Sequence, residues 1–137
     1  MKNSKWFISF LIIGLGIASC LDDEPTLNAV YNYKAIDSVR IGEIHPARQV
    51  TEIKTFYTQT NSCEYFFDYE YQILGNERNV MMVTAKNEEP GCEPQSRVDS
   101  SFLQFKPESG GTYRFRFWSG TDENGQDTFI IREIEIP

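Results

Sequence analysis

The chain is short of the residues that most enzymes need. It has one histidine and three cysteines, and 13 basic residues stand against 20 acidic ones over 137 residues. The single histidine, His45, sits before Pro46 in the loop-like stretch 42–46. A catalytic triad, a Cys–His pair or a His-based zinc site would need His45 beside further partners, so it reads as a lone surface histidine. No G-x-S-x-G, no glycine-rich phosphate cradle and no C-x-x-C occurs, which removes the best-marked hydrolase, nucleotide and redox sites. The deficit of positive charge argues against a phosphate backbone as partner, so nucleic acid is not expected. Long apolar runs are also scarce: one, over 6–17, and none after it. At about a dozen residues that run is shorter than the ~20 a spanning helix requires. No segment longer than about eight residues keeps a helical period.

What is present begins with that run. Lys2 and Lys5 precede it, and the small residues Ala18 and Ser19 follow, directly before Cys20. This order of charge, apolar stretch and small residues marks residues 1–19 as a secretory signal peptide. Ile17-Ala18-Ser19-Cys20 resembles the lipobox of bacterial lipoproteins, with Ile17 where leucine is usual. The resemblance implies a diacylglycerol on the Cys20 thiol, which becomes the first residue of the mature chain. Several acyl chains, at about 0.8 kcal/mol per buried methylene, make a durable anchor. Leu21-Asp22-Asp23-Glu24-Pro25 resembles the acidic export signal that follows the lipidated cysteine in surface lipoproteins of Bacteroidota. Two readings of Asp22, Asp23 and Glu24 stand: an export signal, or a solvated acidic tether over 20–28.

Cleavage before Cys20 leaves 118 residues, enough for one domain over 29–137 with a modest core. Of the 13 basic residues, Lys2 and Lys5 are lost, leaving 11 against 20 acidic ones and a net charge of −9. Such a domain disfavours anionic lipid, so the acyl chains are the expected membrane link, and no other cofactor is implied. With Cys20 taken by lipid, Cys63 and Cys92 form an even pair in an oxidising compartment and are expected to be disulfide-bonded. Closing a loop of roughly 30 residues is worth about 3.5 kcal/mol in the chain-entropy account.

The remainder alternates with period two. Tyr65, Phe67, Tyr69, Tyr71 and Ile73 make one apolar face, opposite Phe66, Asp68, Glu70 and Gln72. Gly75-Asn76 reads as a turn, 79–86 as the returning strand, and 98–105 as another. Over 112–118, Tyr113, Phe115 and Phe117 point one way while Arg114, Arg116 and Trp118 point the other. Asn124-Gly125 suggests a type I′ hairpin turn, and 128–136 is the last strand. Segments 30–33, 36–41 and 52–59 complete the set. Seven or eight short strands at regular spacing predict an all-β, immunoglobulin-like antiparallel β-sandwich. Tyr113, opening its strand two residues before the core position Phe115, fits a tyrosine corner, in which the hydroxyl bonds back to the backbone. It fits equally a half-buried tyrosine at a strand start.

The run Cys63-Glu-Tyr-Phe-Phe, Cys92, the 102–105 strand, Gly111-Thr-Tyr-Arg-Phe-Arg-Phe-Trp118 and the isoleucine-rich close resemble the small surface lipoproteins of Bacteroidota. That resemblance covers about two thirds of the chain. It implies an address and a fold, and brings no activity with it.

Three groups of residues invite a chemical reading. Asp122 to Asp127 is acidic enough to suggest a calcium loop, but Gly125 is in the wrong place for an EF-hand and strands flank it, so a hairpin is expected and no metal site. Asp68 and Glu70 share a strand face, as paired glycosidase carboxylates would, and as solubilising residues commonly do. Arg114, Arg116 and Trp118 offer two cations beside an indole, suited to an acidic or sugar ligand, or to cross-strand pairing alone. No catalytic residue is expected. The leading expectation is an outer-membrane, surface-exposed lipoprotein serving as a binding or accessory module, with an envelope protein or an extracellular glycan as partner. Behind it stand a structural envelope component, a periplasmic-facing placement and a carboxylate-based hydrolase.

Overall fold

A computed structural model describes residues 28–137. Their regular elements are eight strands: β1 (Ala29–Lys34), β2 (Ser38–Ile41), β3 (Thr51–Asn61), β4 (Glu64–Leu74), β5 (Glu77–Asn87), β6 (Pro94–Phe105), β7 (Gly111–Thr121) and β8 (Asp127–Ile136). They form two sheets. In the larger, β4 lies along one edge of β5; β1 and β7 share its other edge, and β8 follows β7. The smaller has the order β2-β3-β6. The all-β sandwich expected from the alternation is therefore present.

One pairing departs from the antiparallel expectation: β5 and β7 run parallel, Val80 lying opposite Phe117. Parallel neighbours need a long crossover. Here β6 supplies it by leaving for the other sheet, so the chain returns beside β5 in the direction it left.

The core is made by alternate residues of both sheets. Val80, Met82, Phe115, Phe117 and Ile134 from the larger sheet meet Ile53, Tyr57, Leu103 and Phe105 from the smaller. Phe105 contacts Phe115 edge-on at 4.9 Å between ring centroids, and Phe115 stacks on Phe117 at 5.7 Å. Fully burying such side chains contributes about 1.5–3 kcal/mol each. Tyr113 is buried and its hydroxyl donates to the Ser109 carbonyl at 2.7 Å, the backward bond a tyrosine corner requires. Cys63 and Cys92 are disulfide-bonded, with Cα atoms 5.4 Å apart.

Two local expectations need correction. The five-residue apolar stripe of β4 is not one face. A bulge between Phe66 and Asp68 adds a residue, so Tyr69 and Tyr71 turn toward the core while Tyr65 and Phe67 face outward. An extra residue in one strand shifts the phase of everything beyond it. Asn124-Gly125 is not a type I′ turn either. Gly125 alone has positive φ (76°), and it closes a longer loop in which Asp122 Oδ1 accepts from the backbone N–H groups of Asn124 and Gln126, each at 2.9 Å. Gly75, with φ 60°, opens the tight β4–β5 turn, as glycine does at the first central position of a type II′ turn.

Candidate functional site

The outer face of the larger sheet is where the sequence-derived candidates gather. Because Phe115 and Phe117 are fully buried, alternation sends Arg114, Arg116 and Trp118 outward. The β7–β8 register sets Trp118 opposite Phe129, Arg116 opposite Ile131, and Arg114 opposite Glu133. The Arg116 guanidinium lies 4.2 Å from the centroid of the Phe129 ring, and its Nη1 is 3.6 Å from Glu77 Oε1. Trp118 Nε1 donates to Asp127 Oδ1 at 2.9 Å.

Topology adds residues that no local pattern joined to these. β1 pairs with the 82–87 end of β5 and β7 with the 77–80 end, so the two strands lie end to end. That brings Tyr33 to Trp118, edge-on at 6.4 Å between centroids. Tyr31 leans across Ala85 to meet Phe67 at 4.7 Å, which is why outward-facing Ala85 has no exposed surface. Tyr31, Tyr33 and Phe67 are each about half exposed. Phe67, Tyr31, Tyr33, Trp118, Phe129 and the stacked Arg116 thus form one row across the sheet.

Carboxylates border this row. The Tyr33 hydroxyl donates to Glu70, and that bond, then the Glu70 charge, raises the tyrosine's pKa above its ordinary value. Asp68, the other acid proposed for a glycosidase pair, accepts from the Tyr69 N–H at 2.8 Å. Both carboxylates thus already hold protein partners. Asp122 is occupied by its own loop. His45 is half-buried, and its backbone N–H donates to Thr51 Oγ1. Among the described residues no three His, Cys, Asp or Glu side chains converge as a metal-binding group.

The structure therefore brings Arg116 and Trp118 together with Tyr31, Tyr33 and Phe67, leaves Arg114 further along the same face, and keeps Cys63 and Cys92 as a structural pair. Cys20, Asp22, Asp23 and Glu24, with the signal peptide, lie outside the described residues. Tyr31 and Tyr33 flank a polar Asn32, a period-two signal that could have marked them as one face. Phe67 carried no usable signal, because the bulge sets its direction. Compared with known proteins, the chain matches no family model, no curated protein and no solved structure.

Proposed function

We propose that this chain is a non-catalytic binding module, lipidated at Cys20 and displayed on the outer membrane surface through Asp22, Asp23 and Glu24. It holds an extracellular glycan against the outer face of the larger sheet. One observation carries the reading: a row in which exposed Phe67, Tyr31 and Tyr33 run on to half-buried Trp118 and Phe129, on a face that antiparallel sheets ordinarily give to polar residues. The C–H faces of sugar rings stack on such rings, and the hydroxyls find Glu70, Glu77, Arg116 and Asp127 at the row's margins. The same Tyr, Trp and Arg make-up favours a second reading, an envelope protein as partner, because these residues dominate protein interfaces.

Affinity electrophoresis through neutral and acidic polysaccharides tests the first reading. Retardation of the wild type that disappears in Tyr31→Ala/Trp118→Ala, with the fold intact by circular dichroism, is the expected result. Free migration through every polysaccharide rejects it. The address is tested separately. Cys20→Ala is expected to release the protein from the membrane fraction. Protease added to intact cells is expected to cleave the wild type and spare a variant with Asp22, Asp23 and Glu24 changed to alanine. Membrane partition of Cys20→Ala, or equal protection of both proteins, would reject the respective claim.

A further inference from the structure

A second site lies between the sheets. On β5, Arg78 is in phase with Val80 and Met82, so it points inward, opposite Phe115 of β7 and Ile73 of β4. It is buried, with only 8% of its surface exposed. Its guanidinium lies against the rings of Tyr113 and Phe105, at 5.1 and 5.9 Å from their centroids. No ion pair compensates it among the described residues. Nη1 donates to the carbonyls of Gly75 and Glu77, at 2.6 and 2.9 Å. Nε is buried and has no hydrogen-bond partner. Nη1 is committed to the turn and Nε is enclosed, so an anion in the neighbouring cleft would meet the guanidinium through Nη2, by a charge-assisted bond.

Arg78 borders a half-open cleft of about 550 Å³ at the end of the sandwich, between the edge strands β4 and β6. Tyr71, Leu103 and Phe105 line its interior, and Ile73 forms a wall. Ile73 faces inward by register yet is 63% exposed, because nothing from the smaller sheet covers it. Burial raises the Tyr71 pKa, while the neighbouring Arg78, by its charge and by hydrogen bonding to the Tyr71 side chain, works against that rise. Buried unpaired charge is costly, and an unsatisfied buried donor needs an explanation.

We propose that this cleft is a binding site for a carboxylate carried on a ring-sized body, the carboxylate meeting Nη2 of Arg78 and the ring lying against Tyr71 and Ile73. The site is on the opposite side of the larger sheet from the aromatic row and does not depend on the glycan reading. Two sources share this chemistry, a free aromatic acid and an acidic sugar unit. The probes that separate them are phenylacetate and glucuronate, each with its neutral amide.

Titration of the full chain, followed by NMR at the Arg78 Nε–H and the Ile73 methyl groups, tests the proposal without any substitution. Saturable shifts are expected with at least one acid. The matching amide should bind at least about tenfold more weakly, since hydrogen bonds to a charged group are worth ~1.5–3 kcal/mol and one of the charges is gone. The stronger acid identifies the source. Ile73→Glu, at an exposed position, puts a competing carboxylate in the cleft and should abolish binding without unfolding the protein. Equal binding of acid and amide, shifts confined to the Trp118 indole, or no saturation by either acid would each overturn the proposal.

Discussion

The two ends of β5 treat buried charge in opposite ways. At its C-terminal end Glu64 is buried between the sheets, paired with Lys34 at 2.8 Å. It also accepts from Thr84 Oγ1 at 3.0 Å and from the Thr60 N–H at 2.8 Å. Burial by itself would raise this carboxyl, but the bonds from Lys34, Thr60 and Thr84 outweigh it and hold the pKa below the ordinary 4.5. The adjacent Cys63–Cys92 bond ties the start of β4 to the β5–β6 connection. At the N-terminal end Arg78 has aromatic neighbours, two turn carbonyls and, among the described residues, no carboxylate within ion-pair distance, although Glu108 lines the same cleft. Both ends have a hollow, about 380 Å³ beside Glu64 and about 550 Å³ beside Arg78. The difference lies in compensation. One end has closed its charge within the chain, as a structural element does; the other leaves an unpaired guanidinium beside a cleft.

Several substitutions would break or sharpen that contrast. The largest effect is expected at the closed end from reduction of Cys63–Cys92, about 3.5 kcal/mol by loop closure, measured by urea denaturation with and without reductant. An unchanged midpoint would remove the staple from the account. Next, Lys34→Met leaves the Glu64 carboxylate buried without its cation and should cost about 3 kcal/mol.

The same variant has a pH signature. A lowered carboxyl pKa contributes stability that is complete above the ordinary glutamate value. That stability is lost as pH falls below 4.5 and through the folded-state value. Wild-type melting temperature should therefore drop over that acid range. In Lys34→Met burial dominates, and that drop should shrink or reverse. A parallel acid limb in both proteins would show that the pair does not set it.

At the open end, Arg78→Met orphans no opposite charge. The two charge-assisted bonds to the turn carbonyls are lost, but so is the desolvation penalty of a buried, unpaired guanidinium, so the net cost should be only about 1–1.5 kcal/mol. A loss equal to that of Lys34→Met would mean Arg78 is as structural as Glu64. The smallest effect belongs to the outer row: Tyr31→Ala, half exposed, should change stability by about 0.5 kcal/mol or less, while weakening polysaccharide retardation. A large destabilisation there would recast the row as packing.

Much of this was legible in the chain itself. Period-two alternation at 113–118 required that Tyr113, Phe115 and Phe117 share one face and Arg114, Arg116 and Trp118 the other. Cysteine parity gave the Cys63–Cys92 pair. Gly75-Asn76 marked a turn by its residue types alone. The alternation and the turn are properties of neighbours in sequence, and the cysteine pairing follows from parity, so none of them depends on which strands lie side by side.

Other features depended on partners far along the chain. Alternation assigns a residue to a face and says nothing of which strand lies beside it, so the meeting of Tyr33 with Trp118 waited on β1 and β7 sharing one edge of β5. The bulge in β4 broke the phase of an otherwise regular stripe, since its extra residue is defined by the partner strand. Arg78 is the sharpest case. Its phase with Val80 and Met82 could be read from the sequence as an arginine on the inner face. Whether a carboxylate or an open cleft would meet it there was decided by tertiary structure alone, because compensation of a buried charge depends on what packing brings within a few ångströms.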